Sequence, residues 1–342
     1  MKKSLVALAV LAASGASFAQ SSVTVYGIAD VFLGSVKTED GATGADVRQT
    51  VLESGGVNGS RWGLKGSEDL GGGLKANFKL EQGFKMDTGV AGTSSDIKGN
   101  TVANQAFSRE AYVGFSGGFG EVKLGKVWTA YDDVSGSSNA LWDSKLAPMN
   151  YVFESINYSS NPGNTVYYAT PTMGGFSAAV SYSLGEDETT TTDASDVTSL
   201  NVSYGAGPLN AHVAYQVEDV GNADDTKFTR LGVTYDFGVA TAKATYGKVA
   251  NVGGVSGDDA DEYQIGVDVP VSPALTLSAS YAESDDSNAG FEQNRKGYGI
   301  GAAYTLSKRT FLYGGYTSNK FTNNGFADDK LSIFAVGMQH RF

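Results

Sequence analysis

The chain has 342 residues, 45 glycines, no cysteine and a formal net charge of −12. A hydrophobic content of 41% is enough to form a core, and the glycines follow no collagen-like period, so full disorder and a triple helix are both excluded. The acidic balance argues against nucleic acid as a partner, because such binding depends on neutralising phosphates. The lack of cysteine excludes disulfides and thiolate metal sites.

Residues 1–19 have the pattern of a cleaved export signal. Two lysines at positions 2 and 3 precede an almost purely apolar run over residues 5–13, and Ser17-Phe18-Ala19 places small residues where a signal peptidase cleaves. The alternative, a transmembrane anchor, requires about 20 apolar residues, and this run is shorter. We therefore expect a signal peptide over 1–19 and a single exported domain over 20–342.

Alternation of apolar and polar residues is the main secondary-structure signal in the remaining chain. Tyr263, Ile265 and Val267, for example, alternate with Gln264 and Gly266, and a period of two is typical of a half-buried strand. About sixteen such strands of roughly ten residues each follow one another without a linker. The predicted strands are 22–34, 60–69, 74–84, 107–116, 120–126, 163–170, 175–184, 197–205, 208–217, 227–237, 239–248, 261–269, 274–283, 295–306, 309–318 and 331–342.

The connections between the predicted strands alternate between short and long. Short turns such as Gly205–Gly207 are followed by long segments, of which the main ones are Ser35–Gly59, Lys85–Ala106, Val127–Pro162 and Asn251–Asp261. A soluble periplasmic sandwich with Greek-key connections gives no reason for this alternation. Outer-membrane barrels have short periplasmic turns and long external loops, so the pattern favours an up-and-down barrel.

Aromatic residues mark both ends of the apolar rows. One set leads into long loops (Tyr182, Tyr215, Tyr246, Tyr281, Tyr316), and the other leads into short turns or ends the chain (Tyr204, Tyr235, Tyr304, Phe342). Two belts of this kind are typical of the two membrane interfaces. Since unpaired backbone groups are costly in hydrocarbon, a membrane sheet must close, and sixteen strands enclose water. The sequence predicts an all-β, transmembrane antiparallel β-barrel with a pore.

Four motifs occur in a specific order. They are Ser22-Val-Thr-Val-Tyr-Gly27, Ser60-Arg-Trp-Gly-Leu-Lys-Gly-Ser-Glu-Asp-Leu-Gly71, Ala111-Tyr-Val-Gly114 with Leu124-Gly-Lys126, and Val336-Gly-Met-Gln-His-Arg-Phe342. With these motifs the whole mature chain resembles the general trimeric porins of Gram-negative bacteria, of the neisserial and betaproteobacterial type. The terminal Phe342 resembles the signal read by the barrel-assembly machinery.

The resemblance implies a homotrimer in the outer membrane, among lipid and lipopolysaccharide, that passes ions and small hydrophilic solutes by passive diffusion. It implies that the third external loop, Val127–Pro162, folds into the lumen as a constriction. Carboxylates of that loop would face a basic wall formed by Arg61 and Lys126. The loop candidates are Asp132, Asp133, Asp143 and Glu154, and small outward residues, Gly27 and Ala29, offer close packing between subunits.

Successive residues of a strand face opposite sides of the sheet, so the odd or even position of a residue (its parity) indicates which basic residues face the pore. Arg61 lies in the row opposite Trp62, and a charge facing lipid at mid-membrane costs about 2–4 kcal/mol. Lys126 shares its parity with the lipid-facing Leu124, so we expect either that the strand ends at Gly125 or that a bulge turns the lysine inward. Further wall candidates are Lys75, Lys79, Arg109, Lys123 and Arg230.

Two departures from the family pattern reduce the number of basic residues in the constriction. Pro162 and Gly163 stand where relatives often carry an arginine, and Ile28 stands where some carry a lysine. Two other functions are weighed: a receptor or adhesin acting through its external loops, and a barrel enzyme. No Ser/His/acid constellation can be assembled around His212, so an enzyme is disfavoured, and neither a cofactor nor a metal is expected.

Overall fold

The computed structural model describes residues 22–98, 100–102, 105–221, 223–288, 291–323 and 327–342, so the predicted signal peptide lies outside the described residues. Almost all regular structure is strand. The strands are β1 (Ser22–Glu39), β2 (Asp46–Ser54), β3 (Arg61–Gly71), β4 (Leu74–Gly83), β5 (Ser94–Ser95), β6 (Thr101–Val102), β7 (Glu110–Gly117), β8 (Gly120–Lys126), β9 (Thr165–Ala169), β10 (Phe176–Leu184), β11 (Asp196–Ala206), β12 (Leu209–Asp219), β13 (Thr226–Asp236), β14 (Thr241–Ala250), β15 (Asp259–Pro270), β16 (Leu275–Asn288), β17 (Phe291–Ser307), β18 (Thr310–Asn323) and β19 (Asp329–Arg341).

All of these strands except β5 and β6, which pair with each other as a separate small sheet, form one closed antiparallel barrel with neighbours in chain order. The last strand, β19, pairs with β1 from Ile28 opposite Arg341 to Glu39 opposite Lys330, which closes the sheet. The first half of β1 pairs with β3 and its second half pairs with β2. Strands β2 and β3 therefore share one place in the barrel, and the described residues fill sixteen places. The predicted 16-stranded up-and-down barrel is confirmed.

The segment Ser35–Gly59 was expected to be a long loop, and this expectation is wrong. Strand β1 continues to Glu39, and β2 pairs with it as the other arm of a hairpin. Most of β2 is exposed on both faces, so its sequence has no reason to alternate between apolar and polar residues. Strands β16, β17 and β18 also extend beyond their predicted ends at the long-loop side of the barrel.

A buried carboxylate fixes the break between β2 and β3. Asp30 is fully buried and accepts hydrogen bonds from the backbone N–H groups of Gly56 (2.8 Å) and Asn58 (2.9 Å) and from the hydroxyl of Tyr313 (2.6 Å). The Gly56 carbonyl is thereby held in place to accept the N–H of Lys145, 2.8 Å away in the loop after β8. The break in the wall is thus a docking point for that loop.

The two faces of the wall differ as the alternation requires. Outward side chains such as Val113, Ile265 and Val336 are more than half exposed in the isolated chain, as expected for residues that face lipid. The inner rows are mostly polar or small, and they carry large apolar side chains such as Phe32 and Phe228 where the loop after β8 packs against them. Among the described residues, none of the helices has the length and apolar character needed to cross a bilayer.

The segment between β8 and β9 folds into the lumen, as the resemblance implied; we call Val127–Pro162 the inserted loop. It contains two single-turn helices, α1 (Asp132–Ser135) and α2 (Met149–Val152). Its apolar residues form the interior of the molecule: Leu146 packs in one cluster with Phe32 and Tyr313, and Tyr131 packs in another with Phe228. The barrel core is therefore made by the loop rather than by the wall alone.

A glycine row on β17 makes room for the inserted loop. A Cβ on Gly299 would lie 2.3 Å from the Leu146 carbonyl oxygen, and a Cβ on Gly297 would lie 2.8 Å from the Pro148 Cβ. Any larger side chain here would push the loop away from the wall. The Gly-x-Gly-x-Gly spacing of this strand thus has a packing role, since every second residue faces the lumen.

The pore constriction as candidate functional site

The inserted loop follows the inner wall from β10 to β18. The Ala130 N–H donates to Ser181 Oγ (3.1 Å) on β10, and the Leu141 N–H donates to Ser278 Oγ (2.9 Å) on β16. The loop then reaches the break beside β3 and returns across β15 and β12, where Ser159 N–H donates to Glu218 (2.5 Å). This path leaves the inner rows of β3, β4, β7 and β8 facing the open part of the lumen.

A single buried carboxylate organises the basic residues of that open wall. Glu81 accepts hydrogen bonds from Arg109 Nε (2.6 Å) and from the Tyr26 hydroxyl (2.7 Å). Lys79 Nζ lies 3.5 Å and Arg61 Nη1 3.9 Å from the same carboxylate. We call these five residues the Glu81 cluster. It brings together three of the predicted wall residues, Arg61, Lys79 and Arg109.

A second carboxylate lies beside the Glu81 cluster. Glu110 on β7 is directly opposite Glu81 in the register, and Lys79 is in ion-pair contact with both. Like charges directly opposite one another destabilise a sheet unless a cation lies between them, so Lys79 stabilises this arrangement. The sequence analysis did not single out Glu110. Glu110 directly follows Arg109, a predicted wall residue, in the sequence, but its position opposite Glu81 depends on strand register.

The remaining wall candidates lie apart from the Glu81 cluster. Lys123 on β8 is placed over the rings of Tyr167 (4.6 Å) and Tyr112 (5.5 Å), and its Nζ is 3.1 Å from Glu121. Lys75 is exposed near the periplasmic end of β4, opposite Ser116. Lys123 thus faces the lumen below the cluster, whereas Lys75 lies in the wider vestibule.

Lys126 lies at the root of the inserted loop. Strand β8 continues through Lys126, which is opposite Ala111 in a ladder without a register shift, so neither expectation, an end at Gly125 or a bulge, is met. Gly125 instead has a φ of 138°, a conformation that favours glycine. The Lys126 ammonium donates to the Asn161 carbonyl (2.6 Å). Within the described residues no ion pair joins it to the Glu81 cluster.

Arg230 faces inward as predicted but is covered by the inserted loop. It is 1% exposed, and its guanidinium donates to the carbonyls of Ser135 and Ser155, both at 2.9 Å. Fully buried Glu262 accepts the Ser155 N–H at 3.1 Å from the neighbouring side. Arg230 is therefore an anchor between the two arms of the loop and does not line the water.

The four predicted loop carboxylates have different surroundings. Asp132 and Asp133 in α1 accept the hydroxyls of Tyr158 and Tyr167, each at 2.6 Å. Asp143 accepts from the Asn139 side chain at 2.7 Å. Glu154 is paired with Arg295 at 2.5 Å. Arg295 also contacts Asp286, so it balances the charge of Glu154 only in part. The sequence analysis missed Arg295, although its position in the strand placed it in the inner row.

The charge of α1 should depend on pH. Burial raises the pKa of the Asp132 carboxyl to about 7, the neighbouring charges of Asp133 and Asp143 act in the same direction, and the hydroxyl of Tyr158 opposes them. Below this pKa the carboxyl is neutral, and above it the loop gains one negative charge. Raising the pH from about 6 to about 8 should therefore shift permeability toward cations.

Reversal potentials under a salt gradient, measured across that pH range, test this prediction. Asp132→Asn cannot ionise at this position and should reduce the pH dependence; the part that remains is assigned to Asp133, whose pKa burial raises to about 6. An equal pH dependence in Asp132→Asn and wild type would show that another group titrates.

Comparisons with known proteins agree with this architecture. Residues 4–324 match the family model described as Gram-negative porin. The chain belongs to the Gram-negative porin family. It is 35% identical to outer membrane porin protein 32 of Delftia acidovorans, over 99% of this chain and 95% of that protein. It is 29% identical to the major outer membrane protein P.IB of Neisseria meningitidis serogroup B, with all of both chains covered.

A solved structure shows the same relationship in three dimensions. The anion-selective porin from Comamonas acidovorans superposes with a TM-score of 0.76 at 27% identity, covering 94% of this chain and all of that one. This porin is thus an outer-membrane channel through which solutes diffuse passively. Family and fold indicate a channel rather than an enzyme, and the similarities give no support to the adhesin alternative.

Proposed function

We propose that ions and small hydrophilic solutes cross this porin through a gap between the Glu81 cluster and helix α1. The observation that carries the proposal is the segregation of charge: Arg61, Lys79 and Arg109 share one wall, while Asp132 and Asp133 lie on the inserted loop. Opposite charges on the two sides of a narrow aqueous gap produce a transverse field that orients dipolar solutes.

We further propose that the selectivity for anions is weak. Glu81 and Glu110 lie within ion-pair distance of Lys79, and Glu81 also contacts both arginines, so much of the positive charge is balanced locally. The similar porin from Comamonas acidovorans is described as anion-selective. The balanced wall of this chain supports a smaller preference of the same sign.

Single-channel currents and reversal potentials in planar bilayers test the constriction. Arg61→Ala should shift the permeability ratio toward cations by about two- to fivefold, because one unit charge near a narrow pore is only partly screened by salt. Lys75→Ala is the matched control, since it removes the same charge from the wide vestibule and should have a smaller effect. Equal shifts in the two variants would contradict the proposed location, and the absence of stepwise currents in wild type would contradict the channel itself.

The partners of this porin are proposed on the basis of its family membership. We propose a homotrimer in contact with outer-membrane lipid and lipopolysaccharide, an export signal over 1–19, and recognition of Phe342 by the barrel-assembly machinery. Phe342 closes the barrel, because its backbone exchanges hydrogen bonds of 3.0 and 3.1 Å with Gly27. Its ring also occupies the space beside Gly27, so the small outward residue that remains for close subunit packing is Ala29.

A further inference from the structure

A hollow opens into the lumen on the periplasmic side of the Glu81 cluster. It lies on the inner face of β1, β3, β4, β7 and β8, and it is nearer than Arg61 or Glu81 to the short turn after β3. Its volume is about 310 Å³. The inner-row residues that line it are Ser22, Thr24, Lys65, Ser67, Asn77, Tyr112, Ser116 and Glu121. We call this feature the lower hollow.

The lower hollow follows from the sizes of the side chains in two adjacent inner rows. Strand register places Lys65 opposite Lys79, and Lys79 opposite Tyr112, so one row carries long side chains. One row closer to the periplasm, Ser67 is opposite Asn77. Short side chains beside a row of long ones leave a depression in the wall, with the long side chains as its rim.

Lys65 brings an unbalanced positive charge to the lower hollow. Its ammonium lies over the Tyr26 ring, 5.1 Å from the centroid, and it forms no ion pair within the part of the chain that the structure describes. Glu121, the carboxylate in the lining, is 3.1 Å from the ammonium of Lys123 and is balanced there. The lower hollow therefore attracts an anion to Lys65.

Tyr112 forms an aromatic side of the lower hollow. Lys123 lies 5.5 Å from its ring centroid, and its register neighbour on β8 is Gly125, which has no side chain to cover the ring. A flat ring in the hollow can therefore pack against Tyr112 in an offset or edge-to-face arrangement. The floor offers polar groups, among them the Asn77 side chain, which donates to Ser116 Oγ at 2.8 Å. Such groups can bind hydroxyls of a solute.

We propose that the lower hollow is a binding subsite for small aromatic carboxylates that pass through the pore. The carboxylate binds the Lys65 ammonium, the ring packs against Tyr112, and ring hydroxyls bind Ser67 and Asn77. Pockets of about 300–1,000 Å³ hold drug-sized ligands, so this hollow accommodates a one-ring acid. The proposal rests on the proposed path of solutes through the lumen, and it names a class of solute that is held there.

Conductance in planar bilayers, measured in increasing concentrations of potassium 4-hydroxybenzoate, tests the subsite. A solute that is held in the pore limits its own flux, so this conductance should saturate, whereas conductance in potassium chloride should keep rising with concentration. Cyclohexanecarboxylate has the same charge and a similar size but no aromatic ring. It should reach half-saturation at about two- to tenfold higher concentration, because the contact between two aromatic rings is missing.

Three variants and one control locate the subsite. Lys65→Gln should raise the half-saturating concentration of both acids by about tenfold, because a charge-assisted hydrogen bond is lost. Tyr112→Leu should remove the difference between the two acids. Ser67→Leu fills the floor and should abolish saturation while stepwise currents in potassium chloride persist. Lys75→Gln is the matched control, since it removes the same charge from the same wall outside the lining of the lower hollow.

Each outcome bears on a different part of the proposal. A wild-type conductance that rises linearly with 4-hydroxybenzoate would overturn the subsite and leave the channel standing, because steps in potassium chloride report the channel separately. Equal half-saturating concentrations for the two acids in wild type would overturn the aromatic class. Equal effects of Lys65→Gln and Lys75→Gln would overturn the location, because a general change in the charge of the pore would then explain both.

Discussion

Glu81→Gln is expected to make the pore more selective for anions. Glutamine has nearly the same shape. Its amide oxygen can still accept the hydrogen bond of Arg109, and its NH2 group can donate to the Tyr26 hydroxyl, which then acts as the acceptor, so the wall should keep its geometry. What is lost is one negative charge in contact with three cations. A unit charge at 4 Å is worth about 1 kcal/mol in water-like surroundings, which corresponds to about a fivefold change in permeability ratio.

The measurement is the reversal potential in a salt gradient, with Glu68→Gln as control. Glu68 is exposed on β3 outside the lumen row, so its loss changes net charge by the same amount without changing the wall. We expect the Glu81 variant alone to shift toward anions, and the shift should shrink at high ionic strength because the charges are partly screened. A shift toward cations, or none, would show that the Glu81 cluster lies outside the ion path.

Arg230→Met is expected to loosen the inserted loop while the barrel stays closed. The guanidinium joins the two arms of the loop through Ser135 and Ser155, and it lies over the Tyr131 ring at 5.2 Å. The variant leaves the buried carbonyl oxygens of Ser135 and Ser155 without this donor, and each buried polar atom that loses its partner costs about 1–3 kcal/mol. We expect noisy, frequently closing single-channel records in place of steady steps.

Two controls separate loop anchoring from misfolding. Arg309→Met removes an arginine from the exposed turn between β17 and β18 and should leave the records unchanged. The mobility of unheated samples on SDS gels reports whether the barrel is intact, and it should be the same for all variants. If Arg230→Met forms an intact barrel and gives currents as steady as those of wild type, the remaining wall contacts suffice to hold the loop.

The fold was largely predictable because lipid imposes one rule on every strand. Outward residues such as Ile265 must be apolar and inward ones such as Gln264 can be polar, so each membrane-spanning strand carries its own signal. The rule fails where water touches both faces, as in β2, and the hairpin formed by Ser35–Gly59 was therefore missed. Its pairing is decided by backbone hydrogen bonds that leave little trace in side-chain identity.

The constriction was only partly predictable. Parity placed Arg61, Lys79 and Arg109 on the inner face, and the structure brings them together. Parity cannot give the height of a residue relative to the neighbouring strand, which is set by register. The contact of all three with Glu81, and the position of Glu110 opposite it, therefore became visible only in the assembled sheet.

The sequence by itself determined the closed sixteen-place barrel, the family and the entry of the third loop into the lumen. The tertiary structure decided which inward charges face water. Arg230 has the same inward position in its strand as Arg61, and Glu154 lies on the inserted loop like Asp132. Arg230 and Glu154 are nevertheless held within the protein, Arg230 by Ser155 and Glu154 by Arg295. The physical reason is that the path of the inserted loop depends on many weak contacts with distant strands, and it is this path that covers one charge and exposes another.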